Sequence, residues 1–249
     1  MTAPAPAERQ SDVSGRRLAT DEIHLWHSDL AMEGHRLAQL ASYLDQDERA
    51  RAARFHFERD RRRFKAGRGV LRQILASYLD VAPSGVRFGY TENGKPYLPG
   101  HSELRFNVSH SAETLVVAVA RGRQVGVDVE VLPLDAADAG VAALVFCASE
   151  QAALEGTDAS DYSRIFARLW TRKEAYIKAD GRGMTLQLNH IDVGTLPEGI
   201  LFYRPELNQW TPSTDWTLHT LDPSPRSVCS LAIEGADCSV ASAEWPTEI

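Results

Sequence analysis

The chain has few cysteines, no long apolar run and no excess of positive charge, and each absence excludes a class of protein. Its 249 residues contain three cysteines. That odd number, without metal-ligand spacing, excludes a disulfide framework and a zinc site and predicts a reducing compartment, the cytoplasm. No run approaches the roughly eighteen apolar residues of a membrane span, so we expect no membrane association. The net charge of −7 argues against general nucleic-acid binding.

The remaining composition is that of a globular protein. Hydrophobic residues make up 43% and charged residues 24%, and the length allows one large domain or two modest ones. Residues 1–20 are polar and rich in Pro and Ala, which predicts a disordered leader. Helical and strand patterns alternate after it, with a break at Leu132-Pro133. We therefore expect two α+β halves, residues 21–132 and 133–249.

Positive charge is concentrated in one segment, residues 49–72, which holds ten basic residues against Glu58 and Asp60. A local positive surface on an acidic protein suits a small polyanionic ligand or an acidic partner. For most of these side chains, a solvated helix face is the simpler interpretation. Gly67 and Gly69, inside the helix predicted from Asp60 to Leu79, would cost stability unless another backbone packs closely there.

The clearest strand runs from Gln124 to Val131. Its valines fall on one face, while Asp128 and Glu130 fall on the other. Two unpaired buried carboxylates would be costly, so that face is either exposed to solvent or neutralised by a cation. With no His or Cys nearby, the cation would be a hard one, magnesium rather than zinc.

A second pattern lies in the helix predicted from Tyr162 to Ala179. Trp170, Glu174 and Lys178 recur at helical spacing on one face. In isolation they are either a packed Trp beside a surface ion pair, or a metal ligand with a cation for phosphate. Lys173 would add a further cation.

Two further segments could line a phosphate site. Asn107 to Ser111, predicted as a strand that enters a loop at Ser109, supplies hydroxyls, an imidazole and backbone N–H groups. Asn93 to Pro96 is predicted as a tight turn that carries Lys95. Taken alone, a histidine such as His110 is more often a surface or core residue than a phosphate ligand. The turn that carries Lys95, taken alone, predicts no function.

Together, the four segments resemble the motifs of the 4′-phosphopantetheinyl transferases, in particular the larger, surfactin-synthetase-activating (Sfp) type. In order they are Asn93-Gly94-Lys95-Pro96, Phe106 to Ser111, Gly126 to Glu130 and Trp170 to Lys178. The resemblance spans about residues 44–184. It implies an α+β single-chain pseudo-dimer of two similar halves, each a small antiparallel-rich sheet packed with helices, and a monomer.

The resemblance also implies an activity. Such enzymes transfer the phosphopantetheine arm of coenzyme A to a serine of an apo acyl or peptidyl carrier protein, with Mg²⁺, and release adenosine 3′,5′-bisphosphate. Carriers of polyketide or nonribosomal peptide biosynthesis are the expected partners, although the sequence does not distinguish them from fatty-acid carriers. The last sixty residues match no motif.

Residue roles follow from the same resemblance. The magnesium ligands would be Asp128, Glu130 and Glu174, and Lys178 would contact the pyrophosphate. The coenzyme A phosphates and nucleotide would be bound by Ser109, His110, Gly94, Lys95, Pro96 and Arg51. Glu150 aligns loosely with a glutamate near the active site. Glu48 is a departure, because some relatives have a lysine there, and the 3′-phosphate contact passes to Arg49, Arg51 or Arg54.

Glu174, directly or through a metal-bound water, would take the serine proton. Two rival interpretations stay open: a non-catalytic module that binds coenzyme A or a carrier, and a magnesium-dependent phosphohydrolase that uses water.

Overall fold

The computed structural model describes residues 18–134 and 139–246. Most of the predicted leader lies outside these ranges, as do residues 135–138 near the start of the predicted second half. The first set of elements consists of β1 (Glu22–Asp29), α1 (Gly34–Ser42), α2 (Gln46–Ala53), α3 (Glu58–Leu79), β2 (Gly89–Tyr90), β3 (Pro96–Tyr97), β4 (Leu104–Ser111) and β5 (Thr114–Arg121).

The second set repeats the order of a strand, three helices, short strands and an antiparallel pair. It consists of β6 (Val125–Val131), α4 (Ala139–Val145), α5 (Ala148–Glu155), α6 (Ala159–Asp180), β7 (Ile191–Asp192), β8 (Leu201–Arg204), β9 (Gln209–Pro212), β10 (Trp216–Thr220) and β11 (Ser227–Glu234), followed by β12 (Ser239–Glu244). The predicted α+β fold with two similar halves is confirmed. None of the described helices is long and apolar enough to cross a bilayer.

Two sheets form the centre of the molecule. The first has the strand order β12-β1-β5-β4 and the second the order β10-β11-β6. Their facing sides make one apolar cluster, in which Ile23 and Val116 meet Val127 and Leu231. Helix α3 covers the outer side of the first sheet, and α6 covers the outer side of the second. The layers are therefore helix, sheet, sheet, helix.

Strand β6 confirms the predicted alternation. Val125, Val127 and Val129 are buried between the sheets, so the face with Gly126, Asp128 and Glu130 turns toward α6. A Cβ atom on Gly126 would lie 2.1 Å from the carbonyl oxygen of Ala175. Because Gly126 has no side chain, α6 packs directly against β6.

A glycine has the same role in α3. A Cβ on Gly69 would lie 2.5 Å from the Cβ of Leu40 in α1, which confirms that a close packing partner accounts for this residue. For Gly67 the nearest atoms would be side-chain carbons at 3.7 Å. In the described parts of the chain, no backbone outside α3 approaches Gly67 closely enough to require a glycine.

One local prediction, the end of β4, was wrong. Strand β4 continues through Ser111 rather than ending before Ser109, because its pairing with β5 extends to Ser111 and Thr114. Strand β2 has only two residues, Gly89–Tyr90. Cys147 is the N-cap residue of α5. The predicted division between the two halves at 132/133 stays a prediction. Strand β6, which lies before that point, is hydrogen-bonded to β11 of the second set of elements.

Candidate active site between the two sheets

The site lies where β4, the edge strand of the first sheet, runs beside β6, the edge strand of the second. In β4, Leu104 and Phe106 pack into the core against α3, so Asn107, Ser109 and Ser111 are on the opposite face. Ser109 Oγ donates to Asp128 Oδ1 at 2.8 Å, and Ser111 Oγ donates to Glu130 Oε2 at 2.8 Å. The predicted phosphate-lining segment therefore contacts both predicted acids.

Helix α6 supplies the other side of the site. Lys178 Nζ donates to Asp128 Oδ1 at 2.6 Å and to Ser109 Oγ at 3.0 Å. Glu174 lies one turn before Lys178 on the same face of α6, and both are half-buried. One more turn back, Trp170 stacks on Phe166 in the core of the second half. The stripe is thus a packed Trp that continues into a charged cluster, while the metal and phosphate roles of Glu174 and Lys178 stay predictions.

The three carboxylates interact electrostatically. Burial, and next the negative charge of Asp128, raises the pKa of Glu174, while the Lys178 ammonium opposes the shift. Burial also raises the pKa of Glu130, against the hydrogen bond from Ser111. Two carboxyl groups with raised pKa values beside a third acid are typical of an active site.

The donor set of this site fits a hard divalent cation. Asp128 is 4% exposed, and its Oδ2 is buried without a hydrogen-bond partner in the described parts of the chain. A cation would satisfy that oxygen and offset the repulsion among the acids, and oxygen ligands suit magnesium. Within the described ranges, only Cys147, Glu150 and Asp192 place ligand atoms all within 4.8 Å of one another. The three carboxylates are therefore further apart than that.

The turn with Lys95 docks on the end of α6. Asn93 Nδ2 donates to the Gly181 carbonyl oxygen at 2.9 Å, and Lys95 Nζ donates to that of Ala179 at 2.8 Å. Gly94 has φ +79°, a conformation that favours glycine. Burial lowers the pKa of Lys95 to about 8. A cavity of about 360 Å³ opens there, and its lining includes Lys95, Pro96, Arg105, Phe106 and Asp180.

Comparison with known proteins identifies the family. A model of the 4′-phosphopantetheinyl transferase superfamily matches residues 124–232, and a model of the 4′-phosphopantetheinyl transferase N-terminal region matches residues 31–122. The 4′-phosphopantetheinyl transferase HetI of Nostoc sp. is 39% identical over 88% of this chain and 90% of its own length. The chain belongs to the 4′-phosphopantetheinyl transferase superfamily.

Other transferases are more distant. A 4′-phosphopantetheinyl transferase of Bacillus subtilis is 31% identical over 61% of this chain and 67% of its own length. The 4′-phosphopantetheinyl transferase Sfp of Bacillus subtilis strain 168 is 27% identical over 64% of this chain and 69% of its own length. The predicted enzyme class is thus confirmed: the chain is a phosphopantetheinyl transferase.

In this transferase Lys173 does not face the acids, and its predicted role as a phosphate cation is wrong. The side chain is 1% exposed and lies on another face of α6. Its Nζ is 2.8 Å from Glu150 Oε2 and donates to the carbonyl oxygens of Leu188, at 2.8 Å, and Ile191. Adjacent helical residues differ in direction by about 100°, which separates Lys173 from Glu174.

Glu150 is a structural residue of the transferase. It is 1% exposed and accepts from the backbone N–H groups of Cys147 at 3.0 Å and Val193 at 2.8 Å. With Lys173 as its counter-ion, the carboxylate joins α5, α6 and the segment after β7. The close approach of Cys147, Glu150 and Asp192 is thus part of a hydrogen-bonded core.

A cavity of about 890 Å³ lies on the far side of α6. Its lining includes Arg172, two residues before Glu174 and so about 200° around the helix. The Arg172 guanidinium donates to the carbonyl oxygens of Pro197 at 2.8 Å and Leu196 at 2.9 Å. Arg172 therefore connects the loop between β7 and β8 to α6. In the described parts of the chain it does not contact Asp128, Glu130 or Glu174.

The basic segment divides into structural and exposed residues. Arg72 is fully buried and pairs with Asp45 at 2.8 Å and Glu48 at 2.7 Å. Glu48 is also the N3 residue of a capping box with Asp45, which explains why a lysine is absent there. Arg51 is exposed, with its guanidinium 5.2 Å above the ring of Phe64. His110 is likewise exposed, and its charge acts on Glu130.

The sequence did not predict the contacts of Arg68 and Asn107. Arg68 pairs with Glu48, lies 4.1 Å over the ring of Phe88 and donates to the Tyr90 hydroxyl at 2.7 Å. Asn107 accepts from the backbone N–H of Val127 at 2.9 Å. The polar alternation of Asn107, Ser109 and Ser111 was the available signal, since three polar residues on one strand face require polar partners.

Proposed function

We propose that the transferase moves the 4′-phosphopantetheine arm of coenzyme A to a serine hydroxyl of an apo acyl or peptidyl carrier protein. Adenosine 3′,5′-bisphosphate is the other product, and the reaction depends on Mg²⁺. The observation that carries the proposal is the contact of Ser109 and Lys178 with Asp128, beside Glu130 and Glu174. We also propose that the enzyme is of the surfactin-synthetase-activating type and acts in the cytoplasm as a monomer, since one chain supplies both sides of the site.

The reaction forms a bond between the serine oxygen and the β-phosphorus of coenzyme A. It breaks the bond from that phosphorus to the oxygen of the leaving adenosine bisphosphate. The Lys178 ammonium offsets negative charge that builds on the phosphates, and Ser109 and His110 line the phosphates from β4. Glu174 takes the serine proton, directly or through a water molecule.

Asp128, Glu130 and Glu174 would hold the magnesium ion. Bound to the pyrophosphate, the ion would supply positive charge to the leaving group. Gly94, Lys95 and Pro96 would bind the adenine nucleotide at the cavity beside the end of α6. Arg51 would bind the 3′-phosphate; Arg49 donates to the Leu44 carbonyl oxygen, which leaves it less free for that role.

Intact-protein mass spectrometry tests the transfer. Apo carrier protein is incubated with coenzyme A, Mg²⁺ and either the wild-type enzyme, Glu174→Gln or the exposed control Glu206→Gln. We expect wild type and Glu206→Gln to add one phosphopantetheine to the carrier serine, and Glu174→Gln or added chelator to prevent it.

Two other results would contradict the proposal. Coenzyme A binding without mass gain on several carriers would favour a non-catalytic binding module. Release of phosphopantetheine in the absence of a carrier would favour a phosphohydrolase.

A further inference from the structure

The two central sheets meet through side chains instead of a continuous ladder. The free edge of β6 has backbone N–H groups that need acceptors. Asn107 Oδ1 accepts from Val127 N at 2.9 Å, and Ser111 Oγ accepts from Val131 N at 3.1 Å. Between them, Ser109 contacts Asp128. Alternate residues of β4 thus replace the missing strand–strand hydrogen bonds.

The two ends of this row differ in one respect. The Asn107 bond to β6 involves only the backbone N–H of Val127. The Ser111 hydroxyl accepts from Val131 N and also donates to Glu130 Oε2 at 2.8 Å. A hydroxyl has one proton and two acceptor lone pairs. The Val131 N–H occupies one acceptor site of the Ser111 hydroxyl. The proton of that hydroxyl is therefore free to be donated to the Glu130 carboxylate.

Glu130 needs such a restraint. It lies two residues from Asp128 on the same face of β6, so like charge pushes the two carboxylates apart. Its side chain is only half-buried, and packing alone does not fix its rotamer. The bond from Ser111 opposes that repulsion and holds Glu130 Oε2 at the edge where the two sheets meet.

We propose that Ser111 is the positioning residue for Glu130, which it holds in place for metal binding through a hydroxyl that is itself oriented by the β6 backbone. The inference rests on the proposed magnesium site and extends it by one residue. Loss of a group that orients a metal ligand typically lowers metal affinity about 10- to 100-fold. Ser109 is not an equivalent candidate, because it contacts Asp128 and Lys178 and belongs to the binding machinery itself.

Titration with Mn²⁺, followed by the electron paramagnetic resonance of the free ion, tests the proposal. Mn²⁺ shares the oxygen-ligand preference of Mg²⁺. The affinity of the chain is measured with and without coenzyme A for wild type, Ser111→Ala, Ser111→Thr and Asn107→Ala. Asn107→Ala is the matched control, because it also removes one side-chain acceptor of a β6 N–H group. Unlike Ser111, the native Asn107 side chain has no hydrogen bond to an acid within the described ranges.

We expect Ser111→Ala to bind Mn²⁺ about 10- to 100-fold more weakly than wild type. Ser111→Thr keeps the hydroxyl and should bind like wild type. Asn107→Ala should also bind Mn²⁺ like wild type, although its urea midpoint falls. These four affinities separate a role in positioning Glu130 from a role in joining the sheets.

Three results would overturn the inference. Wild-type affinity in Ser111→Ala, or an equal loss in Asn107→Ala, would leave Ser111 only the function of joining the two strands. A wild-type chain that binds no Mn²⁺ under either condition would overturn the proposed metal site, and the inference with it.

Discussion

At the scale of single residues, two lysines five positions apart in α6 have different tasks. Lys178 is partly accessible and forms an ion pair with Asp128. Lys173 is buried against Glu150. The direction of each side chain around the helix, and not its place in a motif, decides which lysine reaches Asp128 and which is buried against Glu150.

Substitution of each lysine by methionine tests this division. Lys173→Met leaves the Glu150 carboxylate buried without its cation, so we expect about 3–5 kcal/mol of lost unfolding free energy and near-normal turnover by the folded fraction. Lys178→Met should lower turnover about 10²- to 10³-fold. Urea unfolding and steady-state kinetics measure the two effects.

The control for Lys173→Met is the double variant Glu150→Gln/Lys173→Met, which removes both charges and should recover part of the stability. A stable Lys173→Met enzyme without activity would instead support Lys173 as a phosphate cation.

Residue-level prediction from the sequence succeeded where one periodicity was sufficient. The alternation along β6 placed Asp128 and Glu130 on one face, and the helical spacing aligned Glu174 with Lys178. It failed for Lys173, because the direction of that side chain depends on the carbonyl oxygens of Leu188 and Ile191. Those groups come from a separate segment whose position no local pattern specifies.

At the scale of elements, the distance between α6 and β6 determines whether the acids meet. Gly126 sets that distance, since a Cβ there would lie 2.1 Å from the Ala175 carbonyl oxygen and 2.4 Å from the Ala179 nitrogen. The helix carries Glu174 and Lys178, and the strand carries Asp128 and Glu130. Packing and active-site assembly therefore depend on the same contact.

Gly126→Ala should lower the free energy of unfolding by about 3 kcal/mol, the upper end of the usual cost of overpacking. Gly85→Ala is the control, because its Cβ would meet only Val81, at 3.8 Å, and we expect a change within about 0.5 kcal/mol. Urea unfolding monitored by circular dichroism measures both. Equal stability of the two variants would show that α6 can move away from β6 at little cost.

The elements themselves were largely predictable. α3, α6 and β6 have strong periodic patterns and lie close to their predicted positions. The end of β4 was placed too early, because Ser109, His110 and Ser111 have the composition of a loop. Pairing with β5 on one side and the polar row toward β6 on the other keep them in a strand, and such tertiary contacts override local composition.

At the scale of the whole molecule, one chain contributes both sides of the site. The first half brings β4 and the Lys95 turn, and the second brings β6 and α6. The two family models meet at the turn between β5 and β6, and β6 pairs with β11. We therefore propose that the halves divide near Arg123, not at 132/133, and that the active site spans this division.

Anomalous diffraction from crystals grown with coenzyme A and Mn²⁺ tests the central claim most directly, because it locates the metal without reference to activity. We expect one strong manganese peak against Asp128, Glu130 and Glu174, with the pyrophosphate beside Lys178. A peak at Cys147, Glu150 and Asp192, or coenzyme A bound away from the edges of β4 and β6 with no peak at the three acids, would contradict it.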